Sequence, residues 1–565
     1  MDDFTIYTSG MVPHILERRL QVVINRLEKW CHTTGFFSPA KTVAVHICRK
    51  RNCPKMVNGL TLNNTNIRCV KNYKFLGMMF DSSLTWRNHI TLLKVSCHKT
   101  LNLLKHLSHK TWGADGTSLL RLYVMLLKPK LDYGCEAYSS ASRTLLESLN
   151  PIQNLAIRIA TGAFRSSPVD SLHVVSGIKP LSTYRERKII NYYLRISSNR
   201  NHPMHADLAI DGIRADENIE DYNPTRKPFL ERAVNILYSY NIDTNYLTPE
   251  SQMISPPWAL DNISVCRDMY QFKKQEYQQE EMKSLFYEHL ARHNNSFKIY
   301  TDGSKTEHGV GYALIGDGIA VSRRIQSFAS IFTAELAALQ DCIDMCHDTH
   351  CPTITLITDS RSAIQALTQY NSANPLVQNI QHKLATFEKP IHLCWAPSHV
   401  GIRGNEEADN AARNVILNFD VQEMQIPRSD YKCYVKNVTK HRWKQKWQGT
   451  ANNKLREITD SIEPLINSSC ANREWERALT RLRIGHCRLT HGYLMEGGYP
   501  TECNVCQVQV SVKHILIECH KYDVQRQTVF GNGNVTLRYV LLEADTSLNC
   551  KIYNFIKSID ILPEI

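Results

Sequence analysis

No stretch of the 565-residue chain approaches the ~20 consecutive apolar residues that a membrane-spanning helix needs, so no membrane partner is expected. The first ten residues, MDDFTIYTSG, lack both a basic start and an apolar run, which excludes a classical secretory signal there. An intracellular protein, cytoplasmic or nuclear and not secreted, is the expectation. Internal repeats and low-complexity tracts are also missing. The 18 cysteines, without an export signal, read as reduced thiols plus one metal site rather than a disulfide framework. Acidic residues are scarce in the first third. Residues 1–200 carry 29 Lys/Arg against 11 Asp/Glu, a net +18, whereas residues 201–292 come to −6 and residues 294–418 to −3. The net +13 of the whole chain therefore originates in its first third, which favours a polyanion partner such as nucleic acid.

What is present reads as several domains. In residues 1–80, DDFTIYTS and TVAVHICRK have strand character, ILERRLQVVINRLEKWCHTTG has helical spacing that stops near Gly35, and NYKFLGMMFDSSLTW reads as a strand and turn. From about 87 to 200 the pattern is helical. Residues 201–292 are polar and proline-bearing and read as a connector with some helix. Residues 293–419 alternate in a compact α/β pattern. Three consecutive strands (FKIYTD, GVGYALI, IAVSRRIQSF) precede alternating helices and strands, which predicts a mixed five-stranded sheet flanked by helices. Residues 420–565 begin with a basic, Trp-bearing helical stretch and contain a Cys/His cluster at 503–519.

Four acids in the α/β segment stand out: Asp302 in FKIYTDGS, Glu335 in FTAELAAL, Asp359 in TITLITDS and Asp409 in GNEEADNAA. Asp302 and Asp359 are expected at the ends of neighbouring parallel strands. Glu335 and Asp409 fall on helices that can pack over the same point. Carboxylates gathered far from any Lys or Arg repel one another and raise their pKa values unless cations intervene, which suits divalent metals.

These motifs, with SHVGIRGNEEAD, resemble the type 1 ribonuclease H family in order and spacing over roughly 125 residues. The resemblance implies two-metal hydrolysis of RNA in RNA–DNA hybrids, giving a 3′-hydroxyl and a 5′-phosphate. It implies that Asp302, Glu335, Asp359 and Asp409 ligate two Mg²⁺ ions (or Mn²⁺), Asp302 bridging them, and that His399 assists proton transfer or product release. Gly303, Ser304, Thr333, Arg361 and Asn405 fall where the family contacts its hybrid or braces the helix start. Departures are Ile331 and Phe332 in place of asparagines found in bacterial members, and Arg361 in place of a glutamine, so recognition of the 2′-hydroxyl is differently built.

The first third resembles the later palm and thumb of non-LTR retrotransposon reverse transcriptases, through MDDFTIYTSG, GFFSPAKTVAV and YKFLGMMFDSSLTWRNHI. That resemblance makes Asp2 and Asp3 two remnants of a polymerase triad whose third acid is absent, so reverse transcription by this chain is not expected. In the tail, Cys503, Cys506, His514 and Cys519 have spacing suited to structural Zn²⁺ with three thiolates and one imidazole, like the zinc-knuckle-like element of the same retrotransposons. Upstream, Arg481, Arg483, His486, Arg488 and His491 are compatible with phosphate contacts. The expected whole is the C-terminal part of a non-LTR retrotransposon polyprotein. It comprises a palm/thumb-like region (1–200), a connector (201–292), a ribonuclease H domain (293–419) and a basic zinc-bearing tail (420–565). RNA–DNA hybrid, RNA and DNA are the expected partners. The alternative is a retroelement remnant that binds nucleic acid without catalysis.

Overall fold

The structure, a computed structural model, describes residues 4–34, 38–48, 59–109, 112–209, 227–250, 256–272, 276–293, 295–316, 318–347, 349–466, 472–531, 535–542 and 546–565. They fall into two compact units. One draws on residues 1–188, 218–232 and 441–565, the other on 189–217 and 233–440. The four consecutive domains expected from sequence are thus redistributed. The tail packs with the helices of the first third, and most of the expected connector packs with the α/β segment. No described helix is long and apolar enough to cross a membrane.

The second unit is built on a six-stranded sheet. Its elements in chain order are β1 (Ser264–Cys266), α1 (Gln279–Ala291), β2 (Ser296–Thr306), β3 (Gly309–Gly316), β4 (Ile319–Ile325), α2 (Ile331–Met345), β5 (Thr353–Thr358), α3 (Arg361–Leu367), α4 (Pro375–Thr386), β6 (Ile391–Trp395) and α5 (Arg403–Asn414). The strand order is β1-β6-β5-β2-β3-β4. Strands β1, β6, β5 and β2 run parallel, and β2, β3 and β4 form an antiparallel meander. The five expected strands are all present. The sixth, β1, comes from the expected connector, where a three-residue strand leaves no legible alternation.

Local chemistry explains the boundaries. TITLIT is buried along nearly its whole length, as a central parallel strand must be. Ser330 caps α2 by accepting the Thr333 N–H, and Asn374 caps α4 ahead of Pro375 at the first helical turn. One core lies between the sheet and α2 and α4, with Ile299, Leu336, Leu339, Ile354, Leu356, Val377 and Leu393 fully buried. Ile190, Leu194, Leu237 and Leu247 join that core from upstream. A smaller core on α1 contains Met282, Phe286 and Leu290 packed with Met269, Ile357, Ala396, Val400 and Ile402.

In the first unit a helix spans Pro13–Thr34, close to expectation. Phe4–Gly10 belongs to no sheet, and the described residues of TVAVHICRK contribute the strand Val43–Ala44, paired with Arg68–Cys69. The FLG segment forms the hairpin Asn72–Phe75 with Met78–Asp81. Helices between Arg87 and Ser176 enclose a core with Trp443, Trp447, Leu455 and Ile484 from the tail. A buried ion pair, Arg473–Glu476 at 2.7 Å, ties the two regions: Glu476 accepts the Gly116 N–H, and Arg473 donates to the carbonyls of Ile159 and Ala160. Cys48 is disulfide-bonded, an exception to the reduced thiols expected.

Phe286 is fully buried, so Phe286→Ala should cost about 3–5 kcal/mol of local stability. Faster amide exchange in Ile391–Trp395 is the expected readout, and unchanged protection there would contradict the packing.

Candidate active site

Backbone register sets the first two carboxylates side by side. The parallel pairing of β2 with β5 ends at Thr301 opposite Thr358. Asp302 and Asp359 are the next residue on each strand. β2 itself continues to Thr306 against β3, with Asp302 opposite Ala313. Asp302 therefore lies within its strand rather than at the strand end expected, and it is the parallel neighbour that has stopped.

Helix α2 delivers the third acid. A Cβ at Gly303 would lie 2.8 Å from the Glu335 nitrogen and 3.0 Å from the Ala334 Cβ, so glycine lets the helix backbone approach the strand. Asp302, Glu335 and Asp359 then each offer an oxygen within 4.8 Å of the others. Thr358 Oγ1 donates to Glu335 Oε2 at 3.5 Å.

Asp409 is placed by α5, which crosses close to β2 at Gly404, where a Cβ would stand 2.3 Å from Tyr300 Cδ2. It falls in a second group with His399 and Glu406, again within 4.8 Å. Arg413, one turn on, pairs with Asp409 through Nε at 2.9 Å. The expectation that all four acids stand clear of Lys and Arg thus fails at Asp409, because an i,i+4 partner on the same helix face lies within reach. That spacing, EADNAAR, was readable in the sequence.

Electrostatics follow from burial. Asp302 is pushed up to about 8, first by burial, then by the charges of Asp359 and Asp409. Glu335 is raised well above the usual carboxylate range by burial, then by Asp302 and Asp359. Asp359 is raised by burial, with a hydrogen bond from the Asn405 side chain opposing the rise. The Gly303 backbone opposes it at both Asp302 and Glu335. An oxygen-only donor set whose charged forms are disfavoured by burial and mutual repulsion suits hard divalent cations.

The other expected site residues divide. Gly303 acts through close packing. Ser304 is buried. Thr333 is fully buried and its hydroxyl accepts from Ser330 Oγ, the cap of α2, at 3.1 Å, so it offers no surface to substrate. Asn405, 2% exposed, positions Asp359 instead of meeting substrate. Glu406 accepts the Gly401 N–H at 3.4 Å, a contact between the loop and the start of α5. His399 is exposed on that loop with φ +54°, in the left-handed region. Arg361 is exposed, with its guanidinium 4.5 Å from the Tyr270 ring centroid and 6.0 Å from that of Trp395. Trp395 Nε1 donates to the Asp359 carbonyl at 3.0 Å. Sequence reasoning missed this aromatic support because Tyr270 is remote in the chain. Asp2 and Asp3 lie outside the described residues.

Comparison with known proteins agrees with this geometry. Residues 294–417 match the RNase H family. The chain carries an RNase H domain. Over 113 residues, 20% of this chain, it is 30% identical to the RNA-directed DNA polymerase from mobile element jockey of Drosophila funebris, covering 12% of that protein. The Drosophila melanogaster jockey polymerase is 24% identical over 164 residues, 29% of this chain and 18% of that protein. The Pol polyprotein of equine infectious anemia virus (strain Wyoming) is 29% identical over 123 residues, 20% of this chain and 10% of that protein. A solved RNase H1 from Halobacterium salinarum NRC-1 aligns at 23% identity and a TM-score of 0.18, covering 21% of this chain and 97% of that protein. The RNase H match and the jockey likeness together support a retrotransposon polyprotein with an RNase H domain, and the chain spans under a fifth of the jockey relatives' length.

Away from the RNase H domain, Cys503, Cys506, His514 and Cys519 converge within 4.8 Å, with Cys503 Sγ 3.7 Å from Cys519 Sγ. His514–Glu518 forms a π-helical turn closed by the Cys519 N–H on the His514 carbonyl, which puts the third and fourth ligand candidates together. Arg481 and Arg483 do not face solvent as phosphate contacts would. Arg481 donates to the carbonyls of Gly162 and Ile565, and Arg483 to those of Leu541 and Leu465. His486 stacks on His491 at 3.6 Å, and only Arg488 of the five is exposed.

The raised Asp302 pKa has a signed consequence. Its folded value lies above the ordinary 3.8, so the stability its proton contributes is complete below pH 3.8 and is lost as pH rises toward about 8. Asp302→Asn should therefore raise the melting temperature of this unit in EDTA at pH 8, by about 2 °C or more, with little effect at pH 4. An equal shift at both pH values would contradict the carboxylate repulsion.

Proposed function

We propose that the RNase H domain hydrolyses the RNA strand of RNA–DNA hybrids, with two divalent cations (Mg²⁺, or Mn²⁺ in its place) held by Asp302, Glu335, Asp359 and Asp409. The observation that carries this reading is the convergence of three carboxylates within 4.8 Å at the end of a parallel strand pair, Asp302 and Glu335 buried and Asp359 partly so. Bound divalent cations would supply neutralisation of the scissile phosphate, activation of water and stabilisation of the leaving 3′-oxygen, leaving a 5′-phosphate.

The protein's own residues divide the remaining work. Asp302 is central, since the charges of both Asp359 and Asp409 bear on it. Gly303 and Asn405 fix the spacing of the acids. His399, exposed beside Asp409, moves a proton at the rim or eases product departure. Arg361, propped on Tyr270 and Trp395, meets a phosphate or sugar edge of the hybrid. The basic first third adds sequence-independent affinity for nucleic acid.

In the tail we assign Cys503, Cys506, His514 and Cys519 to structural Zn²⁺. The donor set fits: backbone N–H groups of Cys506 and Val505 and the His514 side chain hold the Cys503 thiol down at about 6, and His514 Nε2 is buried without a hydrogen-bond partner. The chain would act inside the cell as part of a retrotransposon polyprotein.

The test is cleavage of a labelled RNA–DNA hybrid by the full chain. Cleavage should require Mg²⁺, stop in EDTA and vanish in Asp302→Asn, while His399→Ala should lower the rate up to about 100-fold. Hybrid binding without cleavage by the wild type would replace this reading with the non-catalytic one, and full activity of Asp302→Asn would dismiss the assigned site.

A further inference from the structure

A second cluster of metal-ligating side chains lies on the same unit, three from the segment that precedes the RNase H domain and one from the domain's last strand. Cys266 on β1 and Cys394 on β6 are in-register partners of a parallel pair. Residues in register on parallel strands project to the same face, about 4.8 Å apart along the hydrogen-bonding direction. His289 and His293 are spaced i,i+4, His289 in the last turn of α1 and His293 in the turn that closes it, so both rings fall on one side. One ligand atom from each of the four lies within 4.8 Å of every other. Cys266 Sγ is 3.6 Å from His293 Nε2. Tetrahedral zinc with two thiolates and two imidazoles has edges of about 3.3–3.8 Å, so small side-chain movements complete the site.

We propose that Cys266, His289, His293 and Cys394 bind a structural zinc ion that fastens the segment around residues 264–293 to the last strand of the RNase H domain. Both cysteines are free thiols. His289 is 6% exposed and neither ring nitrogen makes a hydrogen bond, although the Asp268 Oδ2 carboxylate oxygen stands 3.2 Å from Nδ1. Asp268 is in turn held by Arg292 Nη1 at 2.9 Å. A carboxylate behind one ring nitrogen, with the other nitrogen buried and unpaired, is the usual support of a zinc-ligating histidine. Cys266 and His293 are only half-buried, which leaves an entry path for the ion. Binding releases the two thiol protons to solvent, and the histidines bind as neutral imidazoles. The position gives the ion a structural task. Trp395 follows Cys394 directly and contacts Tyr270 with ring centroids 5.8 Å apart, so the clamp steadies the platform beneath Arg361.

The test uses the full chain with the tail cluster removed by Cys503→Ser/Cys506→Ser, so that the outcome does not depend on the tail or nuclease assignments. This variant should retain about one equivalent of tightly held zinc after dialysis and, reloaded with Co²⁺, give the intense visible absorption of a tetrahedral thiolate site. Adding His293→Ala should abolish both signals and raise amide exchange in Ser264–Cys266 without unfolding the chain. Adding Cys266→Ser should do the same. Absence of zinc and of the cobalt spectrum in the tail variant, persistence of both in its His293→Ala derivative, or a Cys266–Cys394 disulfide in protein purified under reducing conditions would each overturn the proposal.

Discussion

The candidate site depends on one backbone constraint: the parallel ladder between Ser296–Thr306 and Thr353–Thr358 stops at Thr301 and Thr358. Stopping there frees the next residue of each strand, Asp302 and Asp359, on the same side of the sheet end. A slip of one residue would send one carboxylate to the opposite face. The register is secured by side chains with no chemical role, since Ile299, Ile354, Leu356 and Ile357 are fully buried. Glu335 and Asp409 arrive afterwards, on helices whose closeness is set at Gly303 and Gly404. Packing therefore holds together charges that would otherwise separate.

Much of this was legible before any coordinates. The five strands and five helices between residues 279 and 414 follow period and caps, because each buries one face against a single sheet. The four acids were legible as a set because each sits in a distinct local setting: a strand followed by Gly-Ser, a capped helix, a strand end and a helix after a glycine-bearing loop. What was not legible arises from contacts between distant segments. Strand Ser264–Cys266 has three residues and takes its identity from Ile391–Trp395 over a hundred residues later. Thr333 and Asn405 stand where the resemblance puts a contact with the hybrid or a brace at the helix start, yet the fold buries both, one against the Ser330 cap and the other beside Asp359. Arg481 and Arg483 read as solvent-facing charge, yet they satisfy carbonyls that no helix or sheet satisfies.

The redistribution of the chain into two units has the same origin. A basic first third and a Cys/His tail look like separate nucleic-acid modules when read linearly. In the folded protein Arg473 and Glu476 close a buried network with Gly116, Ile159 and Ala160, so neither region presents a complete surface without the other. The exposed charge left for a polyanion is accordingly smaller than composition suggests, and it lies on the lysines and arginines that these carbonyls and carboxylates do not engage.

The short strand Ser264–Cys266 has a consequence for how the α/β segment survives in solution. Without it, Ile391–Trp395 would be an outer strand with a free row of N–H and C=O groups, and without the helix Gln279–Ala291 the apolar residues that Phe286 and Leu290 cover would be bare. Such an edge is a template for pairing with other chains and for aggregation. The strand and the helix Gln279–Ala291 thus close one edge and one face of the α/β segment. The natural cut for isolating this nuclease-like body lies well upstream of the point where family likeness begins.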